Sequence, residues 1–146
     1  MIMDERLEFL DAGALNTGGA DNYLIGDVID TGGDGINDVD DIYLVIQVAT
    51  TVDSAGDGVT LQFHLASDAG AAVDPDTGTR HLTTPVFAQA TLVAGYRYAA
   101  HLPRGTYERY LGLIQTTAVE AATAGAIDAF LTRTPPSWMA FPDASN

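Results

Sequence analysis

Apolar and polar residues alternate with a period of two along much of this chain. In Gly58–Ser67, Val59, Leu61, Phe63 and Leu65 fall on one face, while Thr60, Gln62, His64 and Ala66 fall on the other. A half-buried β-strand requires that pattern, and it assigns His64 to the polar face. The run Ile42–Thr51 is denser in apolar and β-branched residues and predicts a central strand buried on both sides. Further strands are predicted at Tyr23–Ile29, Pro85–Leu92, Tyr96–Leu102, Tyr107–Thr117 and Ala126–Thr132, with a shorter pairing element around Leu7–Leu10. Ala118–Ala124 is the one stretch suited to a short helical turn, and Gly125 limits it.

The segments between these runs read as turns. Ser54–Gly58, Val93–Gly95 and Leu102–Thr106 each carry glycine or proline at reversing positions, so sequential antiparallel hairpins are expected. The run Ala94–Leu113 then becomes one hairpin holding half of the arginines and four of the six tyrosines. Ala69–Thr84, with its Asp74–Gly78 turn, is long for a hairpin connection and reads as a contact loop or a mobile one. Many short strands with glycine-rich turns predict an all-β fold. The expected form is a single-domain antiparallel β-sandwich or jelly-roll-like barrel of about eight strands with extended terminal arms. Within one domain spanning 1–146, residues 1–12 form an arm or edge strand, 30–41 an Asp-rich loop, and 135–146 an extended tail.

Composition narrows the function. A chain of 146 residues buries a core large enough to need no staples, and without cysteine it has neither disulfides nor thiolate metal sites. Six arginines, no lysine and a net charge of -14 repel a phosphate backbone, which argues against nucleic acid as a partner. No segment approaches the run of about 20 apolar residues that spans a membrane. Asp4, Glu5, Arg6 and Glu8 interrupt any apolar signal, so the product is expected in the cytosol where it is made.

Several residues invite chemistry. Asp30, Asp34, Asp38 and Asp41 occupy positions 1, 5, 9 and 12 of an EF-hand-like loop with Gly35 at the turn. Gly32 at position 3 and an aspartate in place of the final glutamate break the pattern, so no metal and no cofactor is expected. His64, His81 and His101 are dispersed, and no serine stands in a nucleophile elbow, so no catalytic residue is assigned. Pleating places Tyr96 and Tyr98 on one face and Arg97, Ala99 and His101 on the other. Arg104 sits at a turn tip with few internal partners, and Arg109 has internal and intermolecular readings of equal weight. Trp138 and Phe141, in a proline-bounded tail, have the character of interface anchors, and the alternative reading has Trp138 cover an open end of its own barrel. Arg97, Arg104, Tyr107, Arg109, Trp138 and Phe141 are therefore the candidate interface residues.

The runs Ala90–Tyr98, Leu102–Gly112 and Thr123–Leu131, with Met1–Ala12 and Ile42–Val48, resemble the capsid cement, or decoration, proteins of short-tailed bacteriophages. The turn Leu102-Pro-Arg-Gly-Thr-Tyr-Glu-Arg109 is the most specific part of that resemblance. It implies a jelly-roll protein without catalytic residues that sits on the outer face of a shell of major capsid protein and stabilises it. The implied partners are the major capsid protein and further copies of the chain, as a dimer or trimer. The implied location is the virion surface, and the host cytoplasm during assembly. The alternative is a receptor- or glycan-binding β-sandwich on a virion or cell surface, using Ala69–Thr84 as its contact. A cupin-like enzyme would need clustered histidines that the spacing does not offer.

Overall fold

The computed structural model describes residues 7–32 and 41–133. Nine strands appear among them: β1 (Glu8–Ala14), β2 (Asp21–Asp30), β3 (Tyr43–Ser54), β4 (Thr60–Asp68), β5 (Thr79–Thr83), β6 (Phe87–Ala88), β7 (Arg97–His101), β8 (Tyr110–Ala118) and β9 (Ala122–Thr132). One sheet has the order β1-β9-β3-β7; the other has the order β2-β8-β4-β5, with β6 also paired to β4. Every pairing is antiparallel. Successive strands alternate between the sheets, except where β4, β5 and β6 share one, and this wrapping is the jelly roll.

That topology corrects the expected hairpins. Ser54–Gly58, Val93–Gly95 and Leu102–Thr106 all carry the chain from one sheet to the other, so β3 and β4, or β7 and β8, are not partners. Pro85–Leu92 is not a full strand but the two-residue β6 followed by one 3-10 turn at Gln89–Thr91. Thr79–Thr83, expected inside a loop, is β5, paired with β4. Ala118–Ala124 contains no helix. The Glu120 N–H donates to the Ala118 carbonyl at 2.9 Å across Val119, whose φ is 72°.

The core lies between the sheets. Leu44, Ile46 and Val48 of β3 face Leu61, Phe63 and Leu65 of β4, all of them buried. Phe87 closes one open side, its ring 6.5 Å from Phe63, 5.7 Å from Tyr96 just before β7 and 5.6 Å from Tyr98 within it. A second, smaller cluster covers the outer face of the β2-β8-β4-β5 sheet, where Val73 from the β4–β5 connection packs on Ala66 and Ile114. Gly112 lets this cluster pack closely, because an added Cβ would lie 2.7 Å from Leu24 Cδ1 and 3.1 Å from Val73 Cβ and both would have to shift. The long connection is thus folded back on the sheet and covers the row holding His64, which is 3% exposed rather than on an open polar face.

The turn at Val119 is strained. A β-branched residue at φ 72° in an i to i+2 turn occupies backbone space that L side chains avoid, and its side chain, 76% exposed, gains little packing in return. The Glu120 carboxylate holds the turn against β3–β4 by accepting from the Ser54 hydroxyl at 2.7 Å and from the N–H groups of Gly56 and Gly58. Val119→Asn keeps the turn with a residue that tolerates positive φ, and is expected to stabilise the domain by about 1 kcal/mol, read as a raised midpoint in thermal or urea melts.

Candidate interaction surface

Strand register gathers Arg104, Tyr107 and Arg109 at one end of the sandwich, with Arg97 at the other end of β7. Tyr43 pairs with both His101 and Thr132, Glu8 pairs with Phe130, and Tyr110 pairs with both Asp30 and Asp68. The start of β1, the end of β9, both borders of segment 33–40 and the β7–β8 crossover therefore share this end. So do Arg80, Arg104, Arg109 and Arg133, interleaved with the acidic Glu8, Asp30, Asp41, Asp68 and Glu108.

The crossover 102–109 is tied down at several points. Leu102 is fully buried and its N–H donates to the Ile42 carbonyl at 2.8 Å. Tyr107, expected to face a partner, is 8% exposed and belongs to the core. Its ring stacks on His81 at 4.0 Å, and its hydroxyl donates to the Pro103 carbonyl four residues upstream, fixing the bend. The Glu108 N–H donates to Ser67 Oγ at 3.1 Å, and the Glu108 carboxylate accepts from the Thr79 hydroxyl at 2.9 Å.

Two arginines of the crossover grip the two ends of the Asp-rich loop. Arg109 forms a fork with Asp30, Nε to Oδ1 at 2.8 Å and Nη2 to Oδ2 at 2.9 Å, and its guanidinium lies 5.1 Å from the Tyr110 ring centroid. The Arg109 hydrogen bonds, assisted by the Gly32 N–H, lower the Asp30 carboxyl from its ordinary 3.8 to about 2. Arg109 thus takes the internal one of its two readings. At the other end Asp41 meets His101 Nε2 at 3.0 Å and Arg104 at 3.7 Å, and the His101 hydrogen bond first, then its charge, lower the Asp41 carboxyl. Arg104 has a longer and less directional partner than Arg109, and its side chain is 67% exposed.

The same pairs bear on the EF-hand-like spacing. Its first and last aspartates, Asp30 and Asp41, are engaged by cationic or histidine side chains. Asp34 and Asp38 lie outside the described residues, and among those described no group of three or more His, Asp or Glu side chains is placed to hold a metal ion. Trp138 and Phe141 also lie outside the described residues. Arg97 faces outward from β7, with Tyr96 and Tyr98 turned to the core as the pleat predicts, and it forms no ion pair among the described residues.

Dispersion along the chain hid one contact. Ser67 Oγ and His81 Nε2 stand 2.6 Å apart across the β4–β5 pair, a nucleophile-to-base distance. Ser67 is fully buried, and its Oγ also accepts the Glu108 N–H, so the pair serves as a strut under the crossover. A groove of about 380 Å3 runs along Glu8, Phe9, Leu10, Asp11, Gly13, Gly26 and Asp27, where β1 approaches β2, and neither Ser67 nor any histidine lines it. Ala69–Thr84, the contact loop of the glycan-binding alternative, is anchored by Val73 and by β5, while Ala69–Ala72, Asp74, Asp76 and Thr77 are exposed.

The fold defines the class as an all-β sandwich of two antiparallel sheets in jelly-roll order. A family model described as Bbp16 matches residues 20–131. That is more than half of the chain, and the chain belongs to the Bbp16 family. No curated protein matches it.

Proposed function

We propose that this chain is a bacteriophage capsid cement protein, a non-enzymatic jelly roll that binds the outer face of a shell of major capsid protein, stabilises it, and acts as a homo-oligomer. Its place is the virion surface, and the host cytoplasm during assembly. The name of the matched family hints at a phage origin, and the sheet order is the one the resemblance in Leu102–Gly112 implies. The observation that carries the reading is the crossover itself. Its most specific residues build an ion-paired support and leave Arg104 exposed at the end where β1 begins and β9 finishes. The exposed Arg104 guanidinium presents a planar fork of donors to a carboxylate of a partner, and the pair gains strength as the contact sheds water. Repeated over a lattice, even a modest interface per copy raises the resistance of the shell to rupture.

Sedimenting the purified chain with empty shells across a salt series tests this. Saturable co-pelleting that weakens with salt is expected, and Arg104→Glu should reduce binding at least tenfold with an unchanged melting temperature. Removing residues 134–146 should weaken pelleting more than it lowers the melting temperature. The opposite ordering would assign Trp138 to its own domain. Binding to glycans with no binding to shells would overturn the proposal.

A further inference from the structure

Leaving aside the two-residue β6, the four outer strands of the two sheets are not alike. β1 pairs with β9 through two register shifts, with Ala12 at φ 44°. β2 shifts register between Ile25 and Ile29, with Gly26 at φ 71°. β5 is shifted between Leu65 and Ala66. Such irregularities bend an edge away from foreign strands. β7 alone among these pairs in unbroken register, from Tyr43 with His101 to Gln47 with Arg97.

The direction of its open backbone groups follows from two flanking bonds. Leu102 N–H donates to the Ile42 carbonyl at 2.8 Å, and Val48 N–H donates to the Tyr96 carbonyl at 2.8 Å. In an antiparallel ladder hydrogen-bonded pairs alternate with non-bonded ones, so Tyr98 and Ala100 also turn their N–H and C=O groups toward β3. Arg97, Ala99 and His101 turn theirs away, to an edge without a strand partner among the described residues.

We propose that β7 is a self-association edge on which a second copy of this chain pairs antiparallel about a two-fold axis at Ala99, joining the two β1-β9-β3-β7 sheets into one. The geometry is self-complementary. Ala99 meets its own copy, and Arg97 stands opposite the His101 of the second chain, all of them outward-directed positions, giving about six interchain backbone hydrogen bonds. Ala99 is small and exposed, so the axis carries no bulky clash. Charge fits as well. Arg97 lacks an ion pair among the described residues, and on the facing chain His101 holds Asp41 at 3.0 Å on the same outer face. Each Arg97 guanidinium therefore approaches the Asp41 carboxylate of the other copy, twice per dimer, which offsets part of the repulsion between two chains of net charge -14. This deepens the homo-oligomeric part of the proposed function, and its test uses no shells, so either idea can fail without the other.

Sedimentation equilibrium of the full chain should show a reversible monomer–dimer equilibrium at micromolar concentration. Arg97→Glu should weaken it at least tenfold while keeping the wild-type melting temperature, and Asp41→Arg should weaken it at least tenfold with a lower melting temperature, because it also removes the contacts to His101 and Arg104. An equimolar mixture of the two variants should recover dimers, because each mixed dimer restores two opposite-charge pairs. Ala99→Pro, which removes an outward N–H and none of the bonds to β3, should abolish the dimer. A wild-type chain that stays monomeric at high micromolar concentration would overturn the proposal. So would variants that dimerise as well as wild type, or a mixture that fails to recover dimers.

Discussion

Lowering the pH from 6.5 to about 4 is expected to cost the wild-type domain roughly 2–3 kcal/mol of stability, and His64→Gln is expected to remove most of that loss. Burial first, and then the nearby Arg80 charge, depress the His64 imidazole from 6.5 to about 4. The hydrogen bonds explain why the neutral ring fits. Thr116 donates its hydroxyl to Asn22 Oδ1 at 2.6 Å, so its oxygen accepts from His64 Nε2 at 3.0 Å. Nδ1 then accepts from the Thr83 hydroxyl at 2.8 Å, which assigns the tautomer and leaves no site for a second proton without rearrangement. Arg80 Nη1, 3.5 Å from Nε2, makes a charged ring costlier still.

The sign follows from a depressed histidine. Between about 4 and 6.5 the unfolded chain binds the proton and the folded chain does not, so stability falls as pH falls through that window and this contribution levels off below it. His81, also lowered by burial, adds a loss of the same sign. The carboxylates act lower on the scale. Asp30, Asp41 and Glu120 are all lowered, so their stabilisation is present above the ordinary carboxylate range and is lost as pH falls through their depressed values. Urea melts at a series of pH values should resolve two acid steps in the wild type, and the upper one should be largely gone in His64→Gln. Parallel profiles for the two proteins would refute the assignment.

His64 also shows where the sequence stops being legible. Alternation in Gly58–Ser67 reports correctly which residues share a face, because pleating is local. It does not report that a connection later in the chain returns to cover the outward face with Val73. The same limit applies to the turns. Glycine and proline in Ser54–Gly58 and Leu102–Thr106 encode a reversal of direction, but crossing to the facing sheet and pairing with the neighbouring strand need the same reversal. β5 escaped notice because Thr79-Arg-His-Leu-Thr83 presents only Leu82 to the main core, too little apolar rhythm to mark a strand. The candidate site was legible in part. Arg104 and Arg109 were found from their place in the Leu102–Gly112 run, whereas their carboxylate partners, some sixty to eighty residues upstream, become neighbours only through the jelly-roll wrapping.

Phe87→Ala is expected to be the most damaging of these substitutions, lowering stability by about 3–5 kcal/mol and the melting temperature by roughly 10–15 °C. The backbone around Phe87 supplies little support, since β6 is two residues long and is followed by a single 3-10 turn. The ring does the holding. It is 6% exposed and stands between Phe63 of one sheet and Tyr96 and Tyr98 beside the other, with the two tyrosine rings tilted 70° and 71° from it in edge-to-face contact. Truncation opens a cavity at the lateral seam, where the sheets have no strand in common to draw them together. Phe87→Leu keeps most of the volume and should cost far less, roughly 1–2 kcal/mol, because only the aromatic edge contacts are lost. The seam also backs β7, the edge assigned to self-association. Phe87→Ala should therefore weaken the dimer at temperatures well below its own melting point, and hydrogen exchange at Tyr98 and Ala100, whose N–H groups bond to β3, should accelerate before exchange in β8 does. Uniform acceleration across both strands would mean that the seam opens only with the whole domain, and that Phe87 contributes to global stability without controlling the β7 edge.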